Sequence, residues 1–225
     1  AIETKEQQLH VLKTEPVPSA SPSSSQIAVE NRAVGSMMGL AIGDALGTTL
    51  EFQERDKHSR LSDIVGGGPF HLQPGQWTDD TALALALLDS LSACGDFDER
   101  DAILRFSSWY RQGKYSCTGT CFDIGHTTRE ALTSWERSGN PLSGSTSPQT
   151  AGNGSLMRLA PVVLRYWNDP KKLDTASLLQ SLTTHGAPEA IDACRAYAKL
   201  ISEAISGRPA GEILQKRNTP YVPAV

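Results

Sequence analysis

The sequence predicts an all-α domain. Alanine and leucine recur at spacings of three and four along most of the chain, valine-rich alternating runs are few, and the apolar run beginning at Ala82 opens on a Thr-Asp helix start. With 225 residues and 39% hydrophobic content, the chain can form one compact multi-helix core once a polar leader is set aside. Neither internal repeats nor a second domain are visible.

Residues 1–30 form that leader. The stretch Glu15-Pro16-Val17-Pro18-Ser19-Ala20-Ser21-Pro22-Ser23-Ser24-Ser25 supplies no core residues and too many prolines for a helix, so it reads as a flexible Pro/Ser-rich tail before a helical domain at 31–225. No apolar run follows a basic start, and no secretory signal is expected. Helices are predicted at 33–47, 79–93, 98–112, 125–138, 154–167, 173–184, 188–206 and 210–217. The stretches Gly66-Gly67-Gly68-Pro69 and Ser143-Gly144-Ser145-Thr146-Ser147-Pro148 are loops.

The first helix carries Gly35, Gly39, Gly43 and Gly47 on one face. Each helical glycine costs about 1 kcal/mol relative to alanine, so the stripe predicts that another backbone approaches closely. Repeated GxxxG also marks transmembrane helices. Here Asp44 and Arg32 bracket an uncharged stretch shorter than the roughly 20 residues of a span, and no membrane is expected.

The second helix opens on Trp77-Thr78-Asp79-Asp80-Thr81. Consecutive hydroxyls and carboxylates can offer a hard cation such as magnesium or manganese three oxygens from one turn. The same residues also suit ordinary capping, with Thr78 as N-cap and both acids at the positive helix end. Ala82 to Leu88 alternates like a strand, but its alanines and leucines are strong helix formers.

Three later junctions have two readings each. Asp123 precedes the predicted 125–138 helix, as a cap or as a functional acid, with His126 beside it. The turn Gly152-Asn153-Gly154-Ser155-Leu156-Met157-Arg158 is either a plain turn or an anion cradle, because glycines admit phosphate oxygens to backbone N–H groups and Arg158 adds a planar cation. In Thr184-His185-Gly186, the glycine reads as a helix C-cap and the histidine either as a favourable charge at the negative helix end or as a functional side chain.

In order and wording these segments resemble the ADP-ribosylglycohydrolase family, of the dinitrogenase reductase-activating type. The resemblance runs from about Arg32 to Ile205. It rests on Gly39-Leu40-Ala41-Ile42-Gly43-Asp44-Ala45-Leu46-Gly47 with Glu51-Phe52, on Trp77-Thr78-Asp79-Asp80-Thr81, on Phe122-Asp123-Ile124-Gly125, on Gly152 to Arg158 and on Thr184-His185-Gly186. It implies a compact all-α domain with a binuclear Mg2+ or Mn2+ centre that hydrolyses the bond between ADP-ribose and a modified acceptor. Thr78, Asp79, Asp80 and Glu51 match metal ligands, with Glu51, Asp79, Asp80 and Asp123 as catalytic acids. Asp123, Gly125 and His126 would lie at the ribose, Gly152, Asn153, Gly154, Ser155, Leu156, Met157 and Arg158 at the diphosphate, and His185 along the wall.

Two departures accompany the resemblance. His126 stands where the family commonly has Asn, which bears on acceptor specificity. Nothing resembling the family's later Asp-rich metal segment follows His185, so the chain is expected to be C-terminally truncated. The implied activity is removal of ADP-ribose from protein, most plausibly from arginine. The alternatives are a non-catalytic ADP-ribose-binding protein with an incomplete metal site and a hydrolase of small ADP-ribose esters.

A formal net charge of −4 with no basic stripe excludes nucleic acid as the main partner. Cys94, Cys117, Cys121 and Cys194 form no CxxC pair, so neither zinc nor a disulfide framework is indicated. Reduced thiols and a cytoplasmic location are expected. The partners are then ADP-ribose or ADP-ribosylated protein, with a monomer favoured.

Overall fold

The computed structural model describes residues 23–215 and 221–222. Among the described residues, eight α-helices follow in order: α1 Ser24–Gly47, α2 Asp79–Cys94, α3 Glu99–Gln112, α4 His126–Ser138, α5 Ala160–Tyr166, α6 Pro170–Leu182, α7 Pro188–Ser206 and α8 Ala210–Ile213. Single 3₁₀ turns lie at Thr48–Leu50 and Pro148–Thr150. No strand occurs among the described residues, and the all-α expectation holds.

The centre of the fold is α2. Ala82, Leu83, Ala84, Ala86 and Leu87 are all fully buried, so this helix is apolar nearly all round. Its alternating alanines are small enough for neighbours to approach on every side, which explains the strand-like pattern. α3 brings Ile103, Phe106 and Trp109 to this core, α4 brings Leu132, and α5 brings Val162 and Val163. α6 and α7 pack against each other and against α5. All four cysteines are free.

Four expectations about the elements are corrected. The tail expected at 1–30 ends earlier, because α1 begins at Ser24: Ser23 accepts from the Gln26 amide, and the Gln26 side chain accepts from the Ser23 amide at 2.8 Å. That reciprocal pair is a capping box, readable as Ser-x-x-Gln within the serine run. Residues 1–22 lie outside the described residues, as do 216–217 of the last predicted helix, of which Ala210–Ile213 is helical. The predicted 154–167 helix starts only at Ala160, with Gly152 to Arg158 remaining a turn. α6 starts three residues before its expected position, because Asp169 caps it through the Lys172 amide at 3.1 Å and Pro170 occupies the first turn.

The glycine stripe is the larger surprise. A Cβ placed at Gly35, Gly39, Gly43 or Gly47 would meet nothing within 4 Å, so no backbone approaches this face among the described residues. Three of these glycines instead line an open groove of about 520 Å³ between α1, α5 and α7. Beside it, α1 leaves Val34, Met38 and Ile42 about half exposed. The helix and the turn after it, 24–50, are together long and apolar enough to cross a membrane by length and composition. Both charges of the earlier argument are used inside the domain: Arg32 donates to the Ile205 carbonyl at 2.7 Å, and Asp44 caps α2.

Candidate active site

The acids reach one place because of how the N-terminus of α2 is held. Thr78 is the N-cap by position, yet its side chain makes no cap bond. Asp44, projecting from α1, does this instead. Its carboxylate accepts from the Thr78 amide at 3.0 Å and hydroxyl at 2.8 Å, and from the Thr81 amide at 3.0 Å and hydroxyl at 2.6 Å. A charged acceptor meeting two orphan N–H groups at a helix start is strongly favourable. Replacing it with Ala leaves two amides and the Thr81 hydroxyl unpaired in a poorly solvated place, with the Thr78 hydroxyl keeping only its long contact to Asp80. Asp44→Ala is therefore expected to lower stability by about 2–4 kcal/mol, read as a shifted urea midpoint at unchanged slope.

With Asp44 doing the capping, Asp79 and Asp80 are free to serve the pocket. They line a cavity of about 300 Å³ together with Glu51 and Asp123. Burial raises the Asp79 and Asp80 carboxyls well above the usual aspartate range, and repulsion from neighbouring acids adds to it. Asp123 is pushed up to about 7 by burial first and then by Glu51 and Asp80. Glu51 is raised by burial, and repulsion from Asp44 adds to it. Burial and the neighbouring acids lead the causes of the Asp79 shift, and the buried Arg158 guanidinium, which feels the Asp79 charge, does not offset them.

Asp123 is not a helix cap. Gly125 occupies the N-cap of α4 without any side-chain bond, and Asp123 has a left-handed backbone with φ 57°, strained for a residue with a Cβ. That conformation turns it toward Glu51. An aromatic chain joins the two loops: Phe52 meets Phe70 edge-on at 6.2 Å between ring centres, and Phe70 meets Phe122 at 5.2 Å. Each end of the chain is the immediate neighbour of one acid of the Glu51–Asp123 pair.

The opposite wall is the glycine turn. Gly152, Asn153, Gly154 and Met157 line the acid pocket with Gly125, His126 and His185. Gly154 is required there, since a Cβ would lie 2.6 Å from the His185 ring. His185 itself is buried, and Gly186 is not a helix C-cap: Thr183 takes that position, while the Gly186 amide donates to the Ser145 carbonyl at 2.9 Å.

Three residues expected at the diphosphate do not face this pocket. Ser155 is fully buried, pairing with the Ser181 hydroxyl at 2.8 Å and lying 3.4 Å from the Cys194 sulfur. Arg158 is also fully buried, donating to the Gly154 and Gln180 carbonyls and to the Thr183 and Thr184 hydroxyls, with its plane 4.4 Å from the Phe106 ring centre. Leu156 lines the α1 groove instead. Arg158 thus supports the wall from behind and offers no contact to an anion in the pocket. Thr78 is likewise buried, 3.4 Å from an Asp80 oxygen.

Sequence reasoning gave Asp44 no role of its own, although a lone acid inside an apolar helix was the available signal. It also missed Thr127 and Thr128, which line the pocket from the first turn of α4. A second cavity of about 320 Å³ shares His126 and Thr127 with this pocket and is lined further by Glu130, Arg137, Ser143, Ser145 and Thr150.

The family model for ADP-ribosylglycohydrolases matches residues 25–221. The chain belongs to the ADP-ribosylglycohydrolase family. It is 45% identical over 184 residues to the ADP-ribosylarginine hydrolase Tri1 of Pseudomonas putida, an alignment covering 82% of this chain and 49% of that protein. Against the ADP-ribosyl-[dinitrogen reductase] glycohydrolase of Rhodospirillum rubrum the identity is 35% over 188 residues, covering 80% and 60%. A solved ADP-ribosylglycohydrolase-related protein complex superposes with a TM-score of 0.73 at 40% identity, covering 83% of this chain and 60% of that one. The chain spans about half the length of the Tri1 relatives it matches.

Proposed function

We propose that the site hydrolyses the glycosidic bond joining ADP-ribose to a protein side chain, arginine first among the acceptors. The observation that carries the reading is the meeting of an acid cluster with a glycine-walled pocket, bordered at His126 and Thr127 by a second cavity lined by hydroxyls, Glu130 and Arg137. An acid pocket alone would suit many sugars. The bordering cavity adds room for the nucleoside diphosphate attached to a ribose. Relatives named for removing ADP-ribose from arginine and from dinitrogen reductase support the same substrate class.

Within this reading the pair Glu51–Asp123 handles protons. The two carboxyls line the same pocket, and Asp123 is raised to about 7, so at neutral pH it holds a proton for much of the time. Asp123 gives that proton to the departing acceptor atom as the glycosidic bond breaks. Glu51 takes a proton from the water that forms the new bond to the anomeric carbon, with a transition state of oxocarbenium character.

The donor chemistry fits Mg2+ or Mn2+: the acids are hard oxygen donors whose mutual repulsion a cation would relieve. Glu51, Asp79 and Asp80, with the Thr78 hydroxyl behind them, are the residues that would hold it. Among the described residues no three His, Cys, Asp or Glu side chains form a ligating group, so further oxygens are needed to fill two shells. Asp80 also lines the α1 groove, which leaves an open side by which such oxygens can approach. When bound, such an ion supplies Lewis acidity and lowers the pKa of attached water.

The test is ADP-ribose release from arginine-, serine- and ester-linked substrates, with and without chelator. Release that stops with chelator is expected, and Asp123→Asn should slow it by about 10²–10⁴-fold while leaving metal affinity nearly unchanged. The absence of a three-ligand group favours one second reading, a non-catalytic ADP-ribose binder. Binding of ADP-ribose without release on every substrate would establish it.

A further inference from the structure

Behind the pocket wall, the direction of each hydrogen bond can be assigned from chemistry alone. The guanidinium of Arg158 has donors only, so where its Nη2 meets the Thr184 hydroxyl at 2.9 Å, the threonine oxygen accepts. The same hydroxyl lies 2.8 Å from Nδ1 of His185. Thr184 is fully buried, and these two groups are its side chain's partners among the described residues. Its own hydrogen therefore has one acceptor, Nδ1. Were Nδ1 protonated, the Thr184 hydrogen would be buried without a partner, which costs about 1–3 kcal/mol.

We propose that Arg158 and Thr184 form a relay that fixes His185 as the Nε2–H tautomer, so that its outer nitrogen is a ready donor to a ligand oxygen in the acid pocket. Nε2 is the ring nitrogen beside the glycine turn, 3.5 Å from where a Cβ on Gly152 would stand. It has no protein partner among the described residues, it is not among the fully enclosed unpaired atoms, and the ring lines the cavity. Burial and the neighbouring Arg158 push the ring down to about 3, which keeps it at one proton. Arg158 and Thr184 are positioning residues. The ligand's identity, a diphosphate or ribose oxygen of ADP-ribose, rests on the proposed function, whereas the tautomer does not.

Nitrogen-15 NMR of the protein with labelled histidine, its five ring systems sorted by the signals lost in His185→Gln, tests the relay. The expected result is a protonated-type signal for Nε2 and an unprotonated-type signal for Nδ1. Thr184→Val keeps the shape, and Arg158 keeps the Gly154 and Gln180 carbonyls and the Thr183 hydroxyl, so the fold should hold. In that variant the two signals should move toward a tautomer mixture, and calorimetric ADP-ribose affinity should fall in proportion to the remaining Nε2–H fraction, about twofold for an even mixture. Thr184→Ser should restore both. A protonated Nδ1 in the unaltered protein overturns the proposal, as does a Thr184→Val protein with unchanged signals. Because the signals are read without ligand, an unaltered protein that shows them but binds no ADP-ribose refutes the proposed function and leaves the relay standing.

Discussion

Replacing both Asp79 and Asp80 with Ala is expected to abolish ADP-ribose release, to below about one ten-thousandth of the unaltered rate, and at the same time to stabilise the metal-free protein. The two effects share one cause. Acids at a helix start gain from the macrodipole, typically 0.3–1 kcal/mol each. Burial and mutual repulsion outweigh that gain here, since both carboxyls are raised rather than lowered. A group whose folded pKa is raised contributes stability that is complete below its unfolded value and is lost as pH rises through the folded value. In chelator, the unaltered protein should thus grow more stable as pH falls from about 9 toward 4, a window that also holds Asp123 near 7. The double variant should show a flatter pH profile and a gain of about 1–2 kcal/mol near neutral pH. Thermal melts in chelator across that range are the measurement. A double variant that is less stable at every pH would show that these acids are satisfied by partners and not held against repulsion.

Ser155→Trp is expected to prevent folding or to remove about 4 kcal/mol of stability or more. As a residue of a phosphate-binding turn, Ser155 would accept a large ring with loss of ligand alone. The structure places its hydroxyl between Ser181 and Cys194 with no exposed surface. An indole there displaces α6 and α7 and breaks a buried hydrogen bond. Circular dichroism and a urea melt decide the matter: a cooperatively folded Ser155→Trp protein that has lost only ADP-ribose binding would return Ser155 to the pocket.

Much of this was legible in the sequence because it depends on short-range physics. The α2 start is a local signal, and so are the helix at 188–206 and the all-α composition. Gly152 and Gly154 do line the pocket, since a turn between helices exposes its glycines. The orientation of Ser155, Leu156 and Arg158 was not legible. The residues of a turn follow no fixed periodicity, and only the packing of α6 and α7 decides which of them become interior. The glycine stripe misled for the same reason: it says that close approach is possible, not that an approaching backbone is present.

The sequence by itself determined which residue types exist to do chemistry and the local elements that carry them: acids at the mouth of an apolar helix, glycines in a turn, and a histidine after α6. Tertiary structure alone decided that Asp44 caps α2 from 34 residues away in the chain, that Asp123 faces Glu51 instead of capping α4, and that Arg158 is an internal brace. Capping, periodicity and turn preference are settled within a few residues. Burial and the pairing of charges depend on which distant segment arrives to exclude water, and that is a property of the packed chain.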